Sequence, residues 1–464
     1  MLRCRLLSVY QLQTSECLLM KSPLSYCPIL VLLLFSIFYR AKAENWPRFH
    51  GPNGSGVTNE IKVPAVWTES DYRWRVDLSG VGHGSPVVWG DKLFLLCATE
   101  SPSRKKGKGK GKSKSLASPD GEATAPAEQR WMPLCISTKE GSILWKQEIA
   151  GGAFSGHRFN SPASTTAAVD ATRVVFTWGT AEKLTMAAFS HAGEKLWESD
   201  LGPVDGGHGF AASPMLIGDL VVLNNDQEDE KGNLLGVDAN TGAVKWTVKR
   251  HSLRLSYSVP CVFNHGGREL LMFTNWTHGF TVIDPRDGSV VAEKSVFNLK
   301  TNERAISSPV VYKDIVIGTC GFTANPKQCV AVRLNANNEL EEVWRIERNV
   351  PHIPSVVVVG DRCYLWDDAG IITCVDAATG KEVWKGRVPG VEGPCMGSPV
   401  SDGTTIFCAD ESGNMHAIAV ADGLKVLGKN SLGDLCRSTP AFGDGAMYVR
   451  TVGKLVAVEG RTSE

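Results

Sequence analysis

Eight histidine or arginine side chains stand shortly before a recurring Ser-Pro-like pair: His83, His157, Arg158, His208, Arg254, Arg304, His352 and Arg437. Gathered around one opening, they would bind an anion such as a carboxylate, a phosphate or an acidic glycan, because guanidinium groups fork onto oxyanions. The alternative is a polar channel mouth whose side chains are paired to backbone carbonyls. Asp367, Asp368, Asp410 and Glu411 could supply oxygen ligands for calcium or a general base. All four fall in hairpin turns of the pattern described below and read as turn-forming acids facing solvent.

Sulfur is the third kind of chemistry. Ten of the thirteen cysteines follow residue 43, an even number suited to an oxidising compartment. Cys320 and Cys329 flank "TANP", Cys363 and Cys374 flank "DDAG", and Cys395 and Cys436 each stand four residues before a marker proline. Each pair is a candidate disulfide, with small buried core residues as the alternative. There is no CxxCH and no adjacent cysteine pair, which excludes c-type haem attachment and a vicinal disulfide.

The elements that must position these groups come from a repeat. "GVDANTGAVKW" ends at Trp246 and "CVDAATGKEVW" at Trp384, with weaker copies ending at Trp145, Trp197 and Trp344. "VIDPRDGSVVA" and "AIAVADGLKVL" keep the glycine but put Ala292 and Leu427 where tryptophan would fall. Upstream of each copy lies a Ser-Pro-like pair and an apolar run, at Pro86, Pro162, Pro214, Pro260, Pro309, Pro354, Pro399 and Pro440. From Pro162 onward the spacing is roughly 40–50 residues, the period of propeller blades. Each unit reads as four short antiparallel strands with glycine corners, the last strand holding the tryptophan.

Eight markers predict a single all-β, eight-bladed propeller. The eighth unit stops before its tryptophan strand, and "YRWRVDL" around Trp74 precedes the first marker. Joining the two ends in one blade would close the ring and remove exposed edges. Trp74, Trp145, Trp197, Trp246, Trp344 and Trp384 are the expected blade-to-blade docking residues, each worth on the order of 5 kcal/mol as an upper bound for roughly 200 Å² of buried ring.

Lys plus Arg equals Asp plus Glu at 49 each in 464 residues, so nothing argues for a nucleic-acid partner. Residues 1–43 read as an export signal, with the true start at either Met1 or Met20: "PILVLLLFSIF" is too short to span a membrane comfortably, and "AKA" follows as a cleavage pattern. The expectation is a periplasmic or secreted monomer with no membrane span after cleavage. Residues 101–128, rich in Lys and Gly, read as a disordered insertion in the first blade.

The Asp-x-x-Thr-Gly-x-x-x-Trp phrase at this period resembles the tryptophan-docking repeat of pyrroloquinoline-quinone-like propellers. The segment "NWPRFHGPNGSGV" is similar to the start of exported planctomycete-type propeller proteins. The resemblance covers residues 44–464 and implies the fold. It includes quinone-dependent alcohol dehydrogenases, which would need pyrroloquinoline quinone and calcium. It also includes the non-catalytic lipoprotein of the outer-membrane β-barrel assembly machinery. The missing vicinal disulfide departs from the dehydrogenases. The expectation is a non-catalytic scaffold without a cofactor that binds an envelope protein or polymer. A quinone-dependent alcohol or sugar dehydrogenase is the alternative, and anion or carbohydrate binding at the His/Arg mouth is the second.

Overall fold

In the computed structural model, the described residues are 45–100, 129–152, 154, 156, 157, 159–299, 303–322 and 326–462. The expected signal at 1–43, the insertion at 101–128 and Arg158 lie outside them. The chain forms eight four-stranded antiparallel blades. In the third blade the strands are Met215–Ile217, Leu220–Asn225, Asn233–Asp238 and Val244–Lys249. The second strand is buried at every residue, whereas the outer strand alternates, with Trp246 inward between exposed neighbours. Inner strands sandwiched between two blades must be apolar on both faces, while the outer edge meets water on one.

The last blade is closed as the chain ends predict. Tyr72–Asp77 pairs with Lys454–Glu459, setting Trp74 opposite Ala457. A second tie, Ile61–Lys62 against Arg461–Thr462, holds the same two ends.

Each of the six repeat tryptophans donates its indole N–H to a carbonyl of the following blade. The acceptors are Thr138, His191, Ala239, Pro285, Ala377 and Ala421, at 2.8–3.0 Å. A glycine of the next blade's corner lies against the ring: a Cβ at Gly288, where φ is +76°, would come within 2.7 Å of Trp246. The small residue at the head of the phrase serves its own blade. Gly236, Cys135 and Cys374 stand directly opposite Trp246, Trp145 and Trp384.

At the axis the blades are joined by hydroxyls. The backbone N–H of Ser85 donates to Thr166 Oγ1, that of Thr166 to Ser213, that of Val259 to Ser308, that of Ser308 to Ser355, that of Ser355 to Ser398, that of Ser398 to Thr439 and that of Thr439 back to Ser85, at 2.9–3.0 Å. The chain of bonds breaks once, because the fourth blade carries Val259 where the others carry Ser or Thr.

The three candidate disulfides are not formed; all ten cysteines among the described residues are buried free thiols, the alternative reading. Cys320 pairs with Gln328 and Cys329 with Thr319, one place out of register, so the thiols leave opposite faces of the sheet. Cys363 opposite Val375 and Cys374 opposite Tyr364 are offset in the same way. Cys395 packs in the core between the sixth and seventh blades, and Cys436 in the core shared by the seventh, eighth and first. Burial pushes the Cys374 and Cys436 thiols up to about 11, which leaves them unreactive.

Candidate functional site

The segments leading into the inner strands converge on one end of the axis. His83, His157, His208, Arg304, His352 and Arg437 line a pocket of about 410 Å³ to which all eight blades contribute. Arg254 is outside its lining, with its side chain 43% exposed and 3.7 Å from Glu228. The lining also carries Phe49, Phe159, Tyr257, Ile306, Phe322 and Met396. The pocket is therefore largely apolar.

The rim cations bring their own counter-ions. Arg304 Nη2 donates to Glu228 at 3.0 Å, and Lys327 Nζ to Asp368 at 2.9 Å. Arg437 Nε donates to Glu411 at 2.9 Å. The same guanidinium lies 5.3 Å over the Phe159 ring. Beside these cations the imidazoles are held neutral. Burial, reinforced by Arg437 and Arg450, takes His83 down to about 3. Burial and Arg304 take His208 to about 4. His352, buried as well, falls to about 4 although Asp368 opposes the shift. His157 and His208 stack with centroids 4.8 Å apart, a contact that two charged rings would oppose.

The acids depart from the expectation of solvent-facing turns. Asp367, Asp368 and Asp410 are buried, and the Glu411 side chain is only 20% exposed. The hairpins that carry them fold onto neighbouring lead-in segments, where the carboxylates collect otherwise stranded N–H groups. Asp367 accepts from Ala369 and Ile371 within its own turn. Asp368 accepts from the backbone of His352 and Ile353. Asp410 accepts from Glu392 and Asn414 and meets His416 Nε2 at 2.9 Å.

The opposite end of the axis is closed by the segment after Asn45. Trp46 bridges Val88 of the first blade, and the Pro47 carbonyl accepts from Val169 of the second. Arg48 Nη2 donates to Pro260 O at 2.7 Å beside Met215, spanning the third and fourth blades. His50 Nε2 meets Pro399 O at 2.8 Å in the seventh. Phe49, between them, forms the floor of the axial pocket. The turn needs left-handed backbone: φ is +73° at Gly51, where a Cβ would lie 2.6 Å from Trp46. The plug lies outside the repeat; its signal in the sequence is Trp46, Arg48 and His50 followed closely by Gly51, Gly54 and Gly56.

Among the described residues no group of three or more His, Cys, Asp or Glu side chains could hold a metal ion, and the rim arginines are engaged with Glu228 and Glu411.

The family model described as "Outer membrane protein assembly factor BamB" matches residues 134–385 and 330–464. A curated outer membrane protein assembly factor BamB from Burkholderia pseudomallei (strain K96243) is 22% identical over 320 residues, 68% of this chain and 76% of that protein. Among solved structures, BamB from Moraxella catarrhalis matches with a TM-score of 0.53 and 14% identity, covering 72% of this chain and 93% of that one. Quinohemoprotein alcohol dehydrogenase from Comamonas testosteroni matches with a TM-score of 0.59 and 11% identity, covering 91% and 82%. At these identities the two structural likenesses show the fold alone.

Proposed function

The chain belongs to the family of the outer membrane protein assembly factor BamB, and from that premise we propose that it is an exported, non-catalytic propeller that docks an envelope protein on its pocket-bearing face. The observation that carries this reading is exposed apolar surface around the mouth. Phe159 and Phe322, which line the pocket, are each 38% exposed, and Leu253, in the lead-in to the fourth blade, is 40% exposed. Such residues are suited to serve as binding anchors. Residues 1–43 would direct export and be removed. No helix among the described residues is long and apolar enough to cross a membrane.

The dehydrogenase reading lacks a metal-ligand cluster among the described residues, and its structural neighbours are distant. Anion or carbohydrate capture by the mouth itself is weakened because Arg304 and Arg437 are already paired with carboxylates; it would require Arg254→Ala with Arg304→Ala to abolish binding.

The test is site-specific photocrosslinking in intact cells, with the probe at Leu253 on the mouth face or at Val244 on the outer rim. A discrete protein adduct from position 253 that is lost on Phe159→Asp, with none from 244, supports the reading. Adducts only from the rim, or an adduct indifferent to Phe159→Asp, would contradict it.

A further inference from the structure

We propose that the floor of the axial pocket is a binding site for an acid with an apolar body and a single carboxylate or comparable oxyanion head. The inference is independent of the scaffold reading and concerns the hydroxyl ring rather than the arginine rim. Ser85, Thr166, Ser213, Ser308, Ser398 and Thr439 line the pocket, and each is at least nine-tenths buried. Thr166 and Ser213 each accept one backbone N–H from the preceding blade. So do Ser308, Ser398, Thr439 and Ser85. With one lone pair so engaged, each oxygen retains its own O–H to donate. Among the described residues none of these six hydrogens has a protein acceptor. By contrast Thr165, Ser256, Ser258 and Ser438 send their hydroxyl hydrogens to backbone carbonyls, whereas the buried Ser307 hydroxyl, one residue before Ser308, has no partner.

A ring of donors without acceptors selects a ligand rich in lone pairs. Two buried guanidiniums give the region a positive field. Arg48, next to Phe49 in the floor plug, meets only Pro260 O and Met215 Sδ, and its Nε has no partner. Arg450 of the eighth blade meets Gly84 O, Leu96 O and Cys97 Sγ, and its Nε has none either. Neither has a carboxylate within ion-pair distance among the described residues, in contrast to Arg304 and Arg437 at the rim. Buried charges such as these are screened less than charges at a surface. Phe49, Tyr257, Ile306, Phe322 and Met396 then provide room for the apolar body. The carboxylate could belong to a free small acid or to the end of a polypeptide chain.

The test is titration of the exported chain with 3-phenylpropionate and, separately, with its uncharged amide, followed by calorimetry and ligand-observed NMR. The acid should bind saturably at one per chain and the amide about tenfold or more weakly, the difference expected for hydrogen bonds to a charged acceptor. A tetrapeptide with a free C-terminal leucine is a separate arm. Binding of the free acid alone assigns a small metabolite, and binding of the peptide as well assigns the head group whichever molecule bears it. The double variant Ser308→Val/Ser398→Val, copying the natural Val259, should weaken the acid about tenfold. Arg48→Met should weaken it while leaving the circular dichroism spectrum and thermal melt intact. Equal binding of acid and amide, no saturable binding of either, or unchanged affinity in a folded double variant would overturn the proposal and leave the ring as a water site.

Discussion

Arg437 Nη1 donates to His83 Nε2 across 3.1 Å, a bond between the lead-in of the last blade and that of the first. A guanidinium can only donate, so the imidazole nitrogen facing it carries a lone pair and no proton. The relationship joins the two ends of the propeller at the mouth and fixes the charge of the group beside it.

Stability should therefore fall on mild acidification. His83, His208 and His352 have folded pKa values of about 3, about 4 and about 4, below the ordinary value near 6.5. The unfolded chain then binds more protons between those limits, so stability is full above about pH 6.5 and is lost as pH drops toward 4. Urea melts across this range should show the decline. His83→Gln together with His352→Gln should flatten it; an unchanged slope would put the titrating groups elsewhere.

Ring closure should depend on Trp74 as the other joints depend on their tryptophans. Trp74→Ala should cost about 3–5 kcal/mol by equilibrium denaturation, comparable to Trp246→Ala. Gly141→Ala should destabilise the same joint, because φ there is +70° and the added Cβ would come within 2.8 Å of the Trp74 ring.

The gap in the hydroxyl ring offers a gain. Ser213 N–H has no hydroxyl to meet because the fourth blade carries Val259. Val259→Thr should stabilise the chain by up to about 1 kcal/mol in the same assay. Ser355→Ala should cost about 1–3 kcal/mol, because it strands the buried Ser308 N–H.

Blade number and closure were legible because they follow from local rules repeated eight times: a Ser-Pro-like lead-in, a glycine corner, a tryptophan or its substitute. The convergence of six lead-in residues on one pocket was legible for the same reason. What the pattern could not carry was pairing between blades. Glu228 in the third blade reaches Arg304, which leads into the fifth, a partnership no local spacing predicts. Asp368 and Asp410 were misread because a turn acid counts as exposed until the lead-in segment of its blade, with His352 or Glu392, is folded against it. The two hairpin cysteine pairs, Cys320/Cys329 and Cys363/Cys374, failed on a single residue of register, since symmetric flanking of a turn does not fix which face a side chain leaves from. Phe49 was missed because its segment is not part of the repeat.

Whether this propeller scaffolds or catalyses is decided most directly by titrating the exported chain with pyrroloquinoline quinone and calcium. Tryptophan fluorescence would follow binding, and dye reduction with a panel of alcohols and sugars would follow turnover. A mouth of neutral imidazoles and paired arginines, without a metal-ligand cluster among the described residues, predicts no saturable quinone binding and no turnover. Saturable binding with alcohol-dependent dye reduction would contradict the scaffold and make the axial pocket an active site.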